Sequence, residues 1–186
     1  VTSNALATEA GEKILAEGGN AYDAATTISA MLSVVEPFAS GLGGGAFWLI
    51  YDAKSKKYTM LDARETAPLL SHKNMYLDEN ENVIKNMSTL GPLSAGIPGI
   101  PAVLGHVNDK YGSKKLSTLL TPAYRAAING FPVNERYLKG ANYKKKWLKK
   151  YKETEAIFLH NGEVPKKGWI LKQTDLAKTI KKIMKD

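Results

Sequence analysis

The sequence contains no cysteine, which excludes disulfide bonds, cysteine-ligated zinc and a thiol nucleophile. No apolar run approaches the ~20 residues that a membrane-spanning helix requires. The three histidines, His72, His106 and His160, form no pair at helical spacing and no HExxH motif, so a metal site is disfavoured. Neither a G-x-S-x-G elbow nor an S-x-x-K pair is present. We therefore predict no metal site, no cofactor and no nucleophile of these types in this chain.

Arginine is scarce, with three residues beside 23 lysines, and the formal net charge is +8. The lysines are densest in KGANYKKKWLKKYKE, residues 139–153, where aromatic residues would allow stacking on nucleic-acid bases. However, Tyr143, Trp147 and Tyr151 have the i, i+4, i+8 spacing of one helical face. The segment also lacks arginine for bidentate contacts to bases. We predict a helix with inward aromatics and solvated lysines and no nucleic-acid partner, with a basic binding module as an alternative function.

The first half of the chain predicts two helices followed by a β-hairpin. NALATEAGEKILAEGGN has an apolar stripe that ends at Gly18, and Asn20 is placed to cap a second, nearly apolar helix that ends before Pro37. AFWLIYD and KYTMLDAR, at about 46–64, are rich in aromatic and β-branched residues, as in two paired strands. The fold class predicted from these patterns is α/β, mostly helical.

The second half predicts further helices. Pro101 opens a helix that Gly112 ends, and LSTLLTPAYRAAINGF forms another, with a start or kink at Pro122. The segment EAIFLHNGEVPKKGWILKQ predicts two extended runs around an Asn-Gly turn. A final helix, capped by Thr174, continues to the last residue without a stop signal, as expected if the chain is cut.

Four glycines crowd residues 41–45, in the stretch SGLGGG. A nucleotide-binding loop requires a strand before the glycines and a helix after them, followed by Lys-Ser/Thr. Here the order is reversed, since a helix precedes the glycines and a strand follows. The glycines therefore have a geometric role, because glycine allows positive φ and close approach of backbones.

Arg64 follows the second predicted strand and has two interpretations. As a structural residue it would pair with Asp62 or Glu65. As a functional residue it would project from the strand end into a pocket and bind a carboxylate bidentately, which lysine cannot do. Asp23 and Glu36 are candidate buried acids, although helix capping and ion pairing explain most residues of this kind.

At these residues the sequence resembles the gamma-glutamyltranspeptidase family, also called glutathione hydrolases. The likeness rests on LATEAGEKILAEGGNAYDAA, VVEPFASGLGGGAFWLIYDA and LDARETAP. It continues more loosely through GIPGIPAVL, YGSKKLSTLLTPAYRAAINGFPVN and AIFLHNGEVPKKGWILKQTDLAKTI. These blocks follow the family's order and cover nearly the whole chain.

The resemblance implies an N-terminal nucleophile hydrolase with a four-layer αββα sandwich, of which this chain holds only part. Family members are proenzymes that cleave themselves into a large and a small subunit. The new N-terminal threonine of the small subunit forms a gamma-glutamyl acyl-enzyme, which water or an acceptor amine then resolves. The arginine of the family's Arg-Glu-x-Ala-Pro motif binds the α-carboxylate of the donor. Arg64 occupies that position and is the one substrate-binding residue expected here.

The family's threonine-containing activation motif does not occur in this sequence. An N-terminal threonine is activated by its own amine, whereas Val1 has no hydroxyl and Thr2 has no free amine. We therefore expect residues 1–186 to form a single incomplete domain, the leading part of a large subunit. Such a chain would hold no catalytic residue, would be inactive alone and would have the small subunit as its partner.

The resemblance leaves the substrate open. Glutathione or another gamma-glutamyl donor, with an acceptor amine or water, is the expected substrate set. Relatives of this fold also cleave cephalosporin side chains and poly-gamma-glutamate, so a related amidohydrolase or acylase is the alternative. A periplasmic or extracellular location is suggested by the resemblance alone.

Overall fold

The structure is a computed structural model that describes residues 1–185 of the chain. Two compact units are formed, one by residues 1–41 together with the residues from 104 onward, the other by residues 42–103. Helices predominate and the main strands form a hairpin, so the predicted fold class is confirmed. The single-domain organisation of residues 1–186 stays a prediction.

The helices and strands of the described residues have the following bounds. The helices are α1 (Ala5–Ala16), α2 (Ala21–Val35), α3 (Ile100–Tyr111), α4 (Leu116–Asn129), α5 (Glu135–Leu148), α6 (Lys152–Phe158) and α7 (Thr174–Ile183). The strands are β1 (Ala46–Asp52), β2 (Lys57–Ala63), β3 (Phe131–Pro132) and β4 (Ile170–Leu171). A short 3-10 turn covers Pro92–Ser94. Every helix among these residues is too short or too polar to traverse a lipid bilayer.

Helix α2 forms the centre of the first unit, where it packs against α1 and α4, and α4 packs against α7. Its side chains are small and are buried on most sides, as the sequence predicts. Two hydrogen bonds join α2 to other elements across the core. The Thr27 hydroxyl donates to the Leu119 carbonyl at 3.0 Å, and the Gln173 side-chain amide donates to the Val34 carbonyl at 2.8 Å. These bonds fix the register of α2 against its neighbours, because an unpaired buried polar group is costly.

The junction between α1 and α2 forms as its sequence predicts. Gly18 has a φ of 79°, the left-handed conformation that stops a helix. The Asn20 side chain accepts hydrogen bonds from the backbone N–H groups of Tyr22 and Asp23, both at 2.9 Å. In return, the Asp23 carboxylate accepts from the Asn20 N–H at 2.8 Å, which completes a capping box.

The second unit contains the predicted hairpin. Strands β1 and β2 pair antiparallel from Ala46 opposite Ala63 to Asp52 opposite Lys57. The Asp52 carboxylate organises the turn by accepting from the Lys54 N–H at 2.9 Å and the Ser55 hydroxyl at 2.7 Å. The alternation of the strands exposes one face of the hairpin, which carries the side chains of Phe47, Leu49, Tyr51, Tyr58 and Met60.

The lysine-rich helix differs from its prediction. Helix α5 ends at Leu148, and Tyr151 lies at the N-cap position of the separate helix α6, so the three aromatics do not share one helix. Tyr143 is 81% exposed, so the prediction that it faces inward is wrong. The inward face instead carries Tyr137 and Ala141. The Tyr137 hydroxyl donates a hydrogen bond to the Phe158 carbonyl at 2.5 Å, which holds this face inward. Burial raises the pKa of Tyr137 to about 12.

Three further predictions in the second half were wrong in part. The run before the Asn161-Gly162 turn is the helix α6, not a strand, although the turn itself forms and both residues have positive φ. Acidic residues in the first turn of α6 favour a helix because they complement the positive end of its dipole. Helix α4 passes through Pro122 without restarting there. The final helix is capped at Gln173 rather than Thr174 and ends at Ile183.

Candidate functional site

Arg64 directly follows the last residue of β2. Its backbone N–H donates to the Asp62 carboxylate at 2.9 Å, which fixes the chain direction at the strand end. The preceding residue, Ala63, is buried, whereas the Arg64 side chain is 57% exposed. The backbone of Arg64 is therefore anchored while its guanidinium faces solvent.

Three glycines enclose the backbone on both sides of Arg64. A Cβ atom on Gly99 would lie 2.1 Å from the Ala63 carbonyl oxygen, and one on Gly45 would lie 2.7 Å from the Arg64 Cα. A Cβ on Gly96 would lie 2.9 Å from the Glu65 Cβ. Real Cβ atoms do not approach other atoms this closely, so each position admits only glycine unless the backbone moves.

Hydrogen bonds join these glycine segments to each other and to the strand end. The N–H groups of Gly99 and Ile100 both donate to the Gly44 carbonyl, at 3.1 and 3.2 Å. Thr66 and Ile97 exchange two backbone hydrogen bonds of 3.1 and 2.8 Å. The Arg64 backbone thus lies in a clamp formed by residues 44–45 and 96–99. Of the geometric role predicted for the glycines of residues 41–45, the close approach of backbones is found at Gly45, whereas none of these glycines has a positive φ.

The Arg64 guanidinium has few partners among residues 1–185. Its Nη2 atom lies 3.3 Å from the Glu65 Oε2 atom without hydrogen-bond geometry, and its Cζ atom lies 6.0 Å from the centre of the Phe47 ring. The Glu65 Oε2 atom is buried and has no hydrogen-bond partner in this part of the chain. The predicted pairing with Glu65 is thus present as a loose ion pair, whereas Asp62 binds the backbone instead.

This arrangement leaves most guanidinium N–H groups available to a ligand. Five donors in a planar fork match the two oxygens of a carboxylate, and the ring of Phe47 supports the cation. Gly96 and Gly99 belong to the pattern GIPGIP, which could have identified them as part of this site. This pattern lies far from Arg64 in the sequence. Sequence reasoning named Arg64 and the first glycines but missed these two.

Asp23 and Glu36, the two candidate buried acids, both lie in the first unit. Asp23 is fully buried and belongs to the capping box of α2, so its role is structural. Glu36 is 1% exposed, ends α2, and places its Oε1 atom 3.4 Å from an Arg136 nitrogen. No cluster of three or more His, Asp or Glu side chains in residues 1–185 is placed to hold a metal ion.

Two grooves are found in the first unit. An apolar groove of about 240 Å³ is lined by Pro37, Phe38, Tyr137, Gly140, Ala141, Lys144, Leu148 and Phe158. A more polar groove of about 460 Å³ lies along α1 and α4. Arg64 lines neither of these two grooves.

The chain is similar to known proteins along nearly its whole length. The family described as Gamma-glutamyltranspeptidase matches residues 7–186. The glutathione hydrolase proenzyme of Bacillus subtilis (strain 168) is 40% identical over 185 residues, which are 98% of this chain and 31% of that protein. The crystal structure of Helicobacter pylori gamma-glutamyltranspeptidase is 40% identical with a TM-score of 0.95, over 100% of this chain and 53% of the other.

A third similar protein is the transpeptidase enzyme CapD of Bacillus anthracis. Its crystal structure is 37% identical with a TM-score of 0.81, over 100% of this chain and 57% of the other. The chain therefore spans about a third of the curated relative and little more than half of each solved chain.

Proposed function

Because the chain belongs to the gamma-glutamyltranspeptidase family, we propose that it is part of an enzyme that cleaves gamma-glutamyl amides such as glutathione. In this proposal the nucleophile is an N-terminal threonine outside residues 1–186, supplied by the small subunit of the same proenzyme. That threonine attacks the gamma-glutamyl amide carbon, the leaving amine takes a proton, and a gamma-glutamyl ester forms. Water or an acceptor amine then releases the gamma-glutamyl group.

Arg64 is proposed to bind the α-carboxylate of the donor. Two features of Arg64 support this assignment. Its backbone is clamped by three glycines, whereas its side chain is more than half exposed. A fixed backbone limits the entropy lost when the side chain orders around a ligand. A bidentate carboxylate contact would then orient the donor for attack, which is how positioning accelerates a reaction.

The remainder of the enzyme is proposed to complete the pocket around Arg64. An exposed ion pair is weak because water screens it, whereas a pocket that excludes water strengthens it. Glu65 would hold the guanidinium from one side through its loose contact of 3.3 Å. The chain alone, which holds the arginine without a nucleophile, is proposed to be inactive.

The test is an Arg64→Lys substitution in the complete proenzyme, with KM for glutathione and self-cleavage as separate measurements. Loss of such a charged partner typically costs about 2–5 kcal/mol, so KM should rise roughly 30-fold or more while self-cleavage continues. Arg125→Lys is the matched control, because Arg125 is an exposed arginine on α4 in the first unit. An unchanged KM in Arg64→Lys would refute the role of Arg64, and a wild-type enzyme without gamma-glutamyl hydrolysis would refute the function itself.

A second candidate function is amide cleavage or transpeptidation on a different substrate. The likeness to the transpeptidase CapD favours it, since that enzyme is 37% identical to this chain. Arg64 fits either candidate, because each requires only a carboxylate on the donor. A hydrolysis panel of glutathione, glutaryl amides and poly-gamma-glutamate separates the two, and the substrate with the highest kcat/KM identifies the function.

A further inference from the structure

The net charge of the chain is concentrated in one part of it. Residues 42–103 contain six basic and six acidic residues, so the entire formal charge of +8 falls on the first unit. The proposed chemistry uses none of this charge, because Arg64 lies in the neutral second unit. The basic character of the first unit therefore requires a separate explanation.

Three of the lysines in the first unit lie on one face of α5 and the turn that follows it. Lys139, Tyr143, Lys146 and Lys150 occur at i, i+4, i+7 and i+11, and all four are exposed. We call these four residues the lysine-rich face. The opposite side of α5 is buried through Tyr137 and Ala141, so the helix cannot rotate to hide the lysine-rich face. This face would extend ~17 Å at 1.5 Å per residue.

The lysines of this face are not neutralised within the described residues. Their neighbours Lys145 and Lys149 contact the Glu163 carboxylate, the second at 3.9 Å. In contrast, Lys139, Lys146 and Lys150 have no ion pair within residues 1–185. Three uncompensated ammonium groups on one face create a positive field that attracts an anionic surface.

The aromatic rings indicate which anionic surface fits. Lysine ammonium groups lie over the rings of Tyr143, Trp147 and Tyr151, at 5.1, 5.7 and 5.5 Å from the ring centres. The segment offers no arginine for bidentate contacts to phosphate or bases, which disfavours a nucleic-acid partner. Amphipathic rings beside flexible lysines instead match the headgroup region of a lipid bilayer.

We propose that the lysine-rich face docks the protein onto the surface of a bilayer that contains anionic lipids. The lysines lie among the lipid phosphates, and Tyr143, which is 81% exposed, enters the boundary between headgroups and acyl chains. Docking of this kind is peripheral and reversible, since each lysine near an anionic surface contributes about a fivefold increase in binding.

The test is cosedimentation of the complete proenzyme with phosphatidylcholine vesicles, with and without phosphatidylglycerol. We expect binding only to the anionic vesicles, with a steep loss between about 0.05 M and about 0.3 M salt because the Debye length shortens. The triple variant Lys139→Gln/Lys146→Gln/Lys150→Gln should bind roughly 100-fold more weakly. Tyr143→Ser should bind several-fold more weakly at unchanged net charge.

The matched control is Lys54→Gln/Lys73→Gln/Lys85→Gln, which removes three exposed lysines from the second unit. It should bind like the wild type, and thermal unfolding of every variant verifies the fold. Equal losses in the two triple variants would overturn the proposal, because binding would then depend on net charge alone. Binding to a single-stranded oligonucleotide but not to anionic vesicles would overturn it in favour of a nucleic-acid partner.

Discussion

Gly45 lies directly against Arg64, so that a Cβ atom on the glycine would approach the arginine Cα to 2.7 Å. The same Cβ would meet the Glu65 Oε2 atom at 2.6 Å and the Ala63 carbonyl oxygen at 2.7 Å. A single methyl group at residue 45 would therefore displace the strand end from which the guanidinium projects. Gly45 therefore determines the position of the Arg64 backbone, although 19 positions separate the two residues in the sequence.

Given the proposed role of Arg64, we predict that Gly45→Ala in the complete enzyme lowers stability and raises KM for the donor together. Overpacking of a tight contact typically costs about 1–3 kcal/mol, and here the strain falls on the Arg64 backbone. Urea unfolding and steady-state kinetics with glutathione measure the two effects. Gly43→Ala is the control, because its Cβ would meet nothing within 4 Å and its φ is not positive. If the two alanine variants behave alike, the contact with Arg64 is irrelevant to the site.

Local patterns were sufficient to predict the hairpin and the junction between the first two helices. The alternation in β1 and β2 and the Asn20 cap depend on residues close in sequence, so their physical causes are visible there. The substrate-binding assignment of Arg64 depends on a family resemblance, and the structure adds the clamp that fixes its backbone. Gly99 could not be foreseen as part of that clamp, because its approach to Ala63 exists only after the loop of residues 64–98 has folded back.

The errors arose where tertiary packing or helix ends decide the outcome. The i, i+4, i+8 spacing of the aromatics was a valid helical pattern, yet the buried position of Tyr137 fixed the rotation of α5 and turned Tyr143 outward. The short apolar run in α6 is compatible with a strand or a helix on periodicity alone. Its acidic first turn and the hydrogen bonds of Thr154 to the Leu148 and Tyr151 carbonyls resolve that ambiguity in favour of a helix.

Asp23 is predicted to make the stability of the first unit depend on pH in the acidic range. Burial alone would raise the pKa of this carboxyl, but hydrogen bonds from the Ser113 hydroxyl and from the N–H groups of Asn20, Ser113 and Lys114 outweigh burial and lower it. The unfolded pKa is about 3.9, so the carboxylate stabilises the fold above about pH 4. That contribution is lost as the pH falls through the lower, folded-state pKa.

The variant Asp23→Asn should therefore lower the free energy of unfolding by about 1–3 kcal/mol at neutral pH, since the amide has one acceptor oxygen where the carboxylate has two. Its difference from the wild type should shrink as the pH falls below about 4, and it should be smallest below the folded-state pKa of Asp23, where the native wild-type carboxyl is also protonated. Urea titrations of the complete protein across the acidic range measure both quantities. Asp109→Asn, which changes an exposed aspartate on α3, should leave the stability nearly unchanged. A pH-independent difference would show that Asp23 acts through packing and not through charge.

Glu36 and Arg136 join the end of α2 to the start of α5. The Glu36 Oε1 atom is buried without a hydrogen bond in the described residues, and the Arg136 guanidinium lies 3.4 Å from it. The same guanidinium donates to the Ser3 carbonyl at 3.3 Å and lies over the Phe38 ring. One half-exposed arginine therefore holds the N-terminal segment, α2 and α5 together, and it is the one cation paired with this buried acid in residues 1–185.

Removal of the Arg136 charge alone should therefore lower the free energy of unfolding more than removal of the Arg136 and Glu36 charges together. Breaking a fully buried pair costs about 3–5 kcal/mol, and the half-exposed guanidinium reduces the expectation for Arg136→Met to roughly 2 kcal/mol. Adding Glu36→Gln to Arg136→Met should restore part of that loss, because a neutral amide tolerates burial better than an unpaired carboxylate. A double-mutant cycle measured by urea unfolding gives the coupling energy directly. Additive effects of the two substitutions would mean that the contact at 3.4 Å carries no energy and that Arg136 stabilises the unit through Ser3 and Phe38 alone.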